Sequence, residues 1–167
     1  MKPGDNVTLS FNQGRLMTDS NQLLDQFIKQ YLSVPLHQHL QLSLEAFEHG
    51  RVTVKFPMRE ELIGNPYTQI LHGGTLAAAL DAVSGLCAAL SVFNKQPELT
   101  LEVMTTLIRD ISTTNLQINY LRPGSGQYFD IEAKTIRSGR RLTVVESRCH
   151  DNQNRLIASC SAQFITG

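Results

Sequence analysis

The run from Leu76 to Leu90 constrains this chain more than any other stretch. It is apolar on nearly every helical face, and Asp81 is its only charge. A helix without a polar face has to be wrapped by other elements. Just before it stands a polar, proline-bearing loop, Asn65-Pro66-Tyr67-Thr68-Gln69-Ile70-Leu71, and then His72-Gly73-Gly74. Free backbone N–H groups at such a helix start favour negative charge. Burying an unpaired carboxylate is costly, so Asp81 needs partners, a raised basicity or a chemical task. An anion-stabilising turn followed by a buried carboxylate points to a reaction centre.

The rest of the composition narrows the setting. A chain of 167 residues suits one domain; residues 1–18 read as a polar N-terminal arm and 19–167 as that single domain. The formal net charge is zero, so no basic excess exists to neutralise phosphates, and nucleic acid is not an expected partner. Three cysteines, Cys87, Cys149 and Cys160, form no CxxC pair or Cys/His cluster. That usage fits a reducing, cytoplasmic compartment and gives no metal site. The first residues lack the apolar core of a signal peptide, and residues 76–90 fall short of a membrane span. No membrane association is expected.

Periodicity supplies the elements. Thr18-Asp19-Ser20 offers N-caps for a helix carrying Leu23, Leu24, Phe27, Ile28, Tyr31 and Leu32, which Pro35 ends. From Leu40 the period becomes two, and with Arg51–Phe56 it reads as a β-hairpin turning at Glu48-His49-Gly50. The long apolar helix follows. Residues 98–111 mix β-formers with an apolar stripe (Leu101, Met104, Leu107, Ile108, Ile111), and a helix opening near Pro97 is the preferred reading. Four strands then alternate over 114–121, 128–136, 142–149 and 155–165, joined by short turns into an antiparallel meander. The sum is α+β: a curved antiparallel sheet around a long central helix, with an extra N-terminal helix.

These residues match a known pattern. Asn65-Pro66, Leu71-His72-Gly73-Gly74, Asp81 nine residues after the histidine, Leu116–Pro123, the Ser138-Gly139-Arg140-Arg141 turn and Leu156-Ile157-Ala158 occur in that order. Over residues 35–165 the chain resembles the PaaI-like acyl-CoA thioesterases of the hotdog fold, and most of all their bacterial YigI-type branch. Three departures stand out. Asn65 is seven residues before His72 where the family usually has six, Gln69 replaces a common glycine, and residues 93–112 are longer than the usual link.

The resemblance implies roles. Asp81 is the general base or the nucleophile, and desolvation would raise its basicity. The Gly73 N–H is the oxyanion donor, and Gly74 lies against substrate. His72 polarises the carbonyl, contacts CoA or shapes the loop. Asn65 positions the carbonyl or the water, unless it only forms its own turn. Thr113, or Thr114 after a one-residue shift, helps to place the water from a partner subunit. Arg137, Gly139, Arg140 and Arg141 form a basic turn suited to the phosphates of CoA.

The family's architecture further implies a homodimer with sheets paired edge to edge, assembled as a dimer of dimers. It implies acyl-CoA as substrate and no cofactor. The plentiful aliphatic side chains favour medium or long fatty acyl groups. A non-catalytic acyl-CoA or acyl-lipid binding protein on the same scaffold is the alternative, although pure binding does not need Asp81. A dehydratase would carry its His/Asp or His/Glu pair at a different spacing.

Overall fold

The computed structural model describes residues 19–48 and 50–166. The N-terminal arm expected over residues 1–18 lies outside them. Helix α1 spans Asp19–Leu32 and α2 Pro35–Leu40. Strands β1 (Ser43–Glu48) and β2 (Arg51–Pro57) form the hairpin, with Gly50 in its turn at φ +75°, a conformation glycine adopts without cost. A short 3₁₀ turn at Glu60–Leu62 leads into a miniature hairpin, β3 (Ile63–Asn65) and β4 (Ile70–Leu71). Then follow α3 (Gly73–Phe93), α4 (Leu101–Asp110), β5 (Ser112–Tyr120), β6 (Tyr128–Ser138), β7 (Leu142–Asp151) and β8 (Leu156–Ile165).

The six long strands make one antiparallel sheet in the order β1-β2-β6-β7-β8-β5. Register explains how it holds a helix. Val52, Ala133, Ser147, Cys160 and Ile118 lie opposite one another across five strands, and so do Val54, Ile131, Cys149 and Ala158 across four. These inward positions are mostly small or β-branched, leaving α3 room to lie close. From Ala82 to Phe93 every residue of α3 is buried. Two buried serines of α3 face the sheet: Ser84 donates to the Ser147 hydroxyl at 3.0 Å, and Ser91 shares a hydrogen bond with the Thr135 hydroxyl at 2.5 Å. Helix α1 closes the far side with Phe27 edge-on to Phe93, ring centroids 5.0 Å apart. The outer face of the sheet carries charge instead, as in Lys55 beside Asp130 and Glu45.

Three sequence expectations change. Leu40 ends α2 instead of opening a strand, and Pro35 starts that short helix, where a missing N–H costs nothing. The helix within residues 98–111 exists but opens at Thr100, not Pro97: the Thr100 side chain accepts the Val103 N–H at 3.2 Å. Last, α3 has 21 residues and by length and composition could cross a membrane, yet 83% of its most apolar window is buried within this fold. It is the core helix that the sheet wraps.

Candidate active site

The hairpin β3–β4 delivers His72 to the head of α3. The His72 N–H donates to the Leu62 carbonyl at 2.8 Å, and Leu71 donates to Gly124 at 2.8 Å. Gly64 lies flat against this junction: a Cβ there would sit 2.6 Å from the His72 Cα. His72 is the N-cap of α3, with φ −64° and ψ 130°, and its Nδ1 accepts the Gly74 N–H at 2.9 Å. In the neutral ring this leaves the proton on Nε2, directed outward. So the two glycine amides differ. That of Gly74 is occupied by the cap, whereas no described residue accepts from that of Gly73. Of the His72 roles weighed from the sequence, loop shaping is the one with a visible bond.

Asn65 builds its own turn. Its Oδ1 accepts from Tyr67 N at 2.9 Å and Thr68 N at 3.4 Å, and Gln69 N donates back to its carbonyl at 2.8 Å. Gln69 sits at φ +53°. That left-handed value suits glycine and leaves Gln69 strained there.

Asp81 lies two turns into α3 and is half-buried, not buried as its apolar neighbours imply. The Thr113 hydroxyl donates to Asp81 Oδ1 at 2.9 Å. Thr114 instead donates to the Gln163 carbonyl across a bulge in the β5–β8 register, so Thr113 is the residue that faces the carboxylate. The expectation that Thr113 reaches the site from a partner subunit is corrected here, since the two side chains bond within one chain. The second Asp81 oxygen has no partner among the described residues. Beside it a cavity of about 170 Å³ runs between α1, α3 and α4.

What one chain does not bring together is equally definite. Gly73 and Asp81 are eight residues apart on a continuous helix, roughly 12 Å along its axis. A carboxylate that attacks, or that activates water, must act within a few ångströms of the carbonyl held by the oxyanion donor. The basic turn is farther still. Lys95, just past the C-terminus of α3, donates to the Ser138 and Gly139 carbonyls. Arg137, Arg140 and Arg141 therefore stand about 20 Å from Asp81 along the helix of their own chain.

Sequence reasoning missed Tyr120. Its hydroxyl donates to the Gly73 carbonyl at 2.9 Å, and its ring packs beside that glycine. The only hint was an aromatic ending a strand in the family's pattern. It also left Tyr31 as helix packing. In the structure the Tyr31 hydroxyl donates to the Ala82 carbonyl at 2.8 Å. Burial first, then the negative charge of Asp81, push its phenol above the usual tyrosine range. The cysteines are buried, and burial pushes all three thiols up, which leaves little nucleophilic thiolate. No group of three His, Cys, Asp or Glu among the described residues is arranged to hold a metal.

Comparison with known proteins turns on residues 68–158, which match the family model described as the thioesterase superfamily. The chain belongs to the thioesterase superfamily. That span, over half of the chain, contains His72, Gly73, Gly74, Asp81, Thr113 and the basic turn, and leaves Asn65 just outside. This thioesterase is similar to the medium/long-chain acyl-CoA thioesterase YigI of Escherichia coli. It is 28% identical to YigI over 80% of this chain and 86% of that protein. Among solved structures it is similar to a Shewanella oneidensis protein related to the thioesterase superfamily, at 32% identity and a TM-score of 0.83. That match covers 89% of this chain and 97% of the other. A Haemophilus influenzae thioesterase shares the fold at 19% identity and a TM-score of 0.67, over 84% and 87% of the two chains. The protein is a thioester hydrolase of the hotdog fold, with the long α3 wrapped by its antiparallel sheet.

Proposed function

We propose that this thioesterase hydrolyses medium- or long-chain acyl-CoA to the free acid and CoA at a site shared by two copies of the chain. The observation that carries the reading is the Thr113–Asp81 hydrogen bond at the mouth of a cavity with apolar walls. Thr113 holds one carboxylate oxygen, and the other is left for water or for the thioester carbonyl. In the water route, Asp81 takes a proton as the oxygen attacks. The tetrahedral oxyanion is held by the Gly73 N–H, a donor of the kind worth about 3 kcal/mol. Collapse expels the CoA thiolate, which recovers a proton. In the alternative, Asp81 attacks directly and water cleaves the mixed anhydride. In a single turnover in ¹⁸O-water, label in Asp81 demonstrates the anhydride route, with water attacking the Asp81 carboxyl carbon, because the water route never exchanges a carboxylate oxygen.

The helix spacing supports two copies. If α3 of a second chain lies antiparallel to the first, Gly73 of one faces Asp81 of the other. The head of α3 and strand β5 are left largely exposed in one chain, and an open edge strand is a template for pairing. That pairing also carries the second copy's Arg137, Arg140 and Arg141 beyond Gly73, a separation suited to the extended pantetheine arm of CoA. The acyl length rests on the cavity's apolar walls, where Ala89, Ile108 and Ile111 stand beside Phe27, Tyr31 and Phe164, and on the likeness to YigI. A dimer of dimers would bury further surface.

The test is CoA release from a panel of acyl-CoAs by wild type and Asp81→Ala. Wild type releases CoA and the variant does not. Equal release by both would sink the mechanism, and binding without release by either would favour a non-catalytic acyl-CoA binding protein.

A further inference from the structure

The cavity beside Asp81 is partly open to solvent. Its polar lining includes Asp81 and the Thr113 bonded to it, with Ser112 next in the chain, and its wall is otherwise largely apolar. A second cavity of about 300 Å³ opens behind it between α1 and α4. Phe27, Tyr31 and Ile108 line both cavities and so form the partition between them.

The partition has one fixed side and one yielding side. Tyr31 is fixed by its bond to the Ala82 carbonyl at 2.8 Å and by its packing on Phe27, ring centroids 5.7 Å apart. Its hydroxyl also lies 2.9 Å from where a Cβ on Gly85 would stand, so the phenol occupies space that only glycine leaves open. Ile108 faces it from α4 and is 38% exposed. Helix α1 lies before the residues that the family model matches, and α4 fills the link between α3 and β5.

We infer that the first cavity receives the acyl chain from the carbonyl outward, and that Phe27, Tyr31 and Ile108 set the length accepted, the second cavity housing what passes them. This rests on the acyl-CoA reading above. A thioester whose carbonyl lies at Asp81 must direct its chain somewhere dry, and this cavity is the apolar space that begins there. Each methylene newly housed is worth roughly a fourfold gain in kcat/KM.

The experiment measures kcat/KM for a series of saturated acyl-CoAs and reads the ratio of long to short chains. Tyr31→Ala, which joins the cavities, and Ile108→Ala, which widens the slit, raise that ratio. Ile108→Trp lowers it, and its exposed position keeps the fold out of question. Gly85→Ala, which pushes the phenol into the passage, also lowers it. A ratio unchanged by the two Ile108 substitutions and by Tyr31→Ala overturns the partition while leaving the acyl-CoA reading intact. Wild-type protein that releases CoA from no member of the series overturns both.

Discussion

Thr113 donates its hydroxyl proton to Asp81 Oδ1 at 2.9 Å, joining the first strand after α4 to the third turn of the core helix. A hydrogen bond to a charged group that fixes its orientation is worth about 1.5–3 kcal/mol. Thr113→Val should therefore lower kcat roughly 10- to 100-fold with a smaller change in KM, and Thr113→Ser should recover most of the loss. Thr113 is exposed, so thermal unfolding should move little. A fall confined to KM would contradict the assignment.

Gly64 abuts His72 so closely that Gly64→Ala must push the junction of β4 and α3. Overpacking of this kind costs about 1–3 kcal/mol. The displacement also disturbs the cap on Gly74 and the direction of the Gly73 N–H. Activity should fall more than stability accounts for, measured as kcat on protein that is fully folded by circular dichroism.

Gln69 holds φ +53° in the turn before β4. Gln69→Gly removes that strain at the expense of greater freedom in the unfolded chain, for a net gain of about 0.5–1 kcal/mol. Denaturant unfolding with an unchanged m-value measures it. A loss of stability would mean that the Gln69 Nε2 bond to the Pro66 carbonyl outweighs the strain.

Asp151 is buried, which by itself pushes its carboxyl up. The Arg155 guanidinium and the Arg155 and Gln153 N–H groups outweigh that and hold it below its ordinary 3.8. A depressed carboxylate contributes stability that is fully present above the unfolded value and lost as pH falls through the folded one. Asp151→Asn should thus destabilise the protein at neutral pH. The gap from wild type should narrow below about pH 4, as wild-type Asp151 protonates.

Much of this was legible in the chain because the signals were local. An apolar run with one charge dictates a wrapped helix, and alternation across 112–165 dictates the strands. The family motif marked His72, Gly73 and Asp81. What stayed hidden depends on distance through space. Leu40 alternates with Leu42 and Leu44 as a strand would, but Pro35 starts a short helix that claims it. That Thr113 bonds Asp81 within one chain follows only from how β5 lies beside α3, whereas the distance between Gly73 and Asp81 follows from eight residues of continuous helix. Tyr120 and Tyr31 carry no motif. Their roles come from hydroxyls reaching backbone carbonyls 47 and 51 residues away.

The shared site can be tested by complementation. Asp81→Asn removes the carboxylate. Gly73→Pro removes the oxyanion donor at the first position of α3, where proline is tolerated and where His72, at ψ 130°, already has the conformation that a following proline requires. Each variant alone should be inactive. Refolded together in equal amounts, they should regain about a quarter of wild-type CoA release, since half of the pairs are mixed and one of the two sites in each is whole. A mixture as inactive as its components would contradict the account.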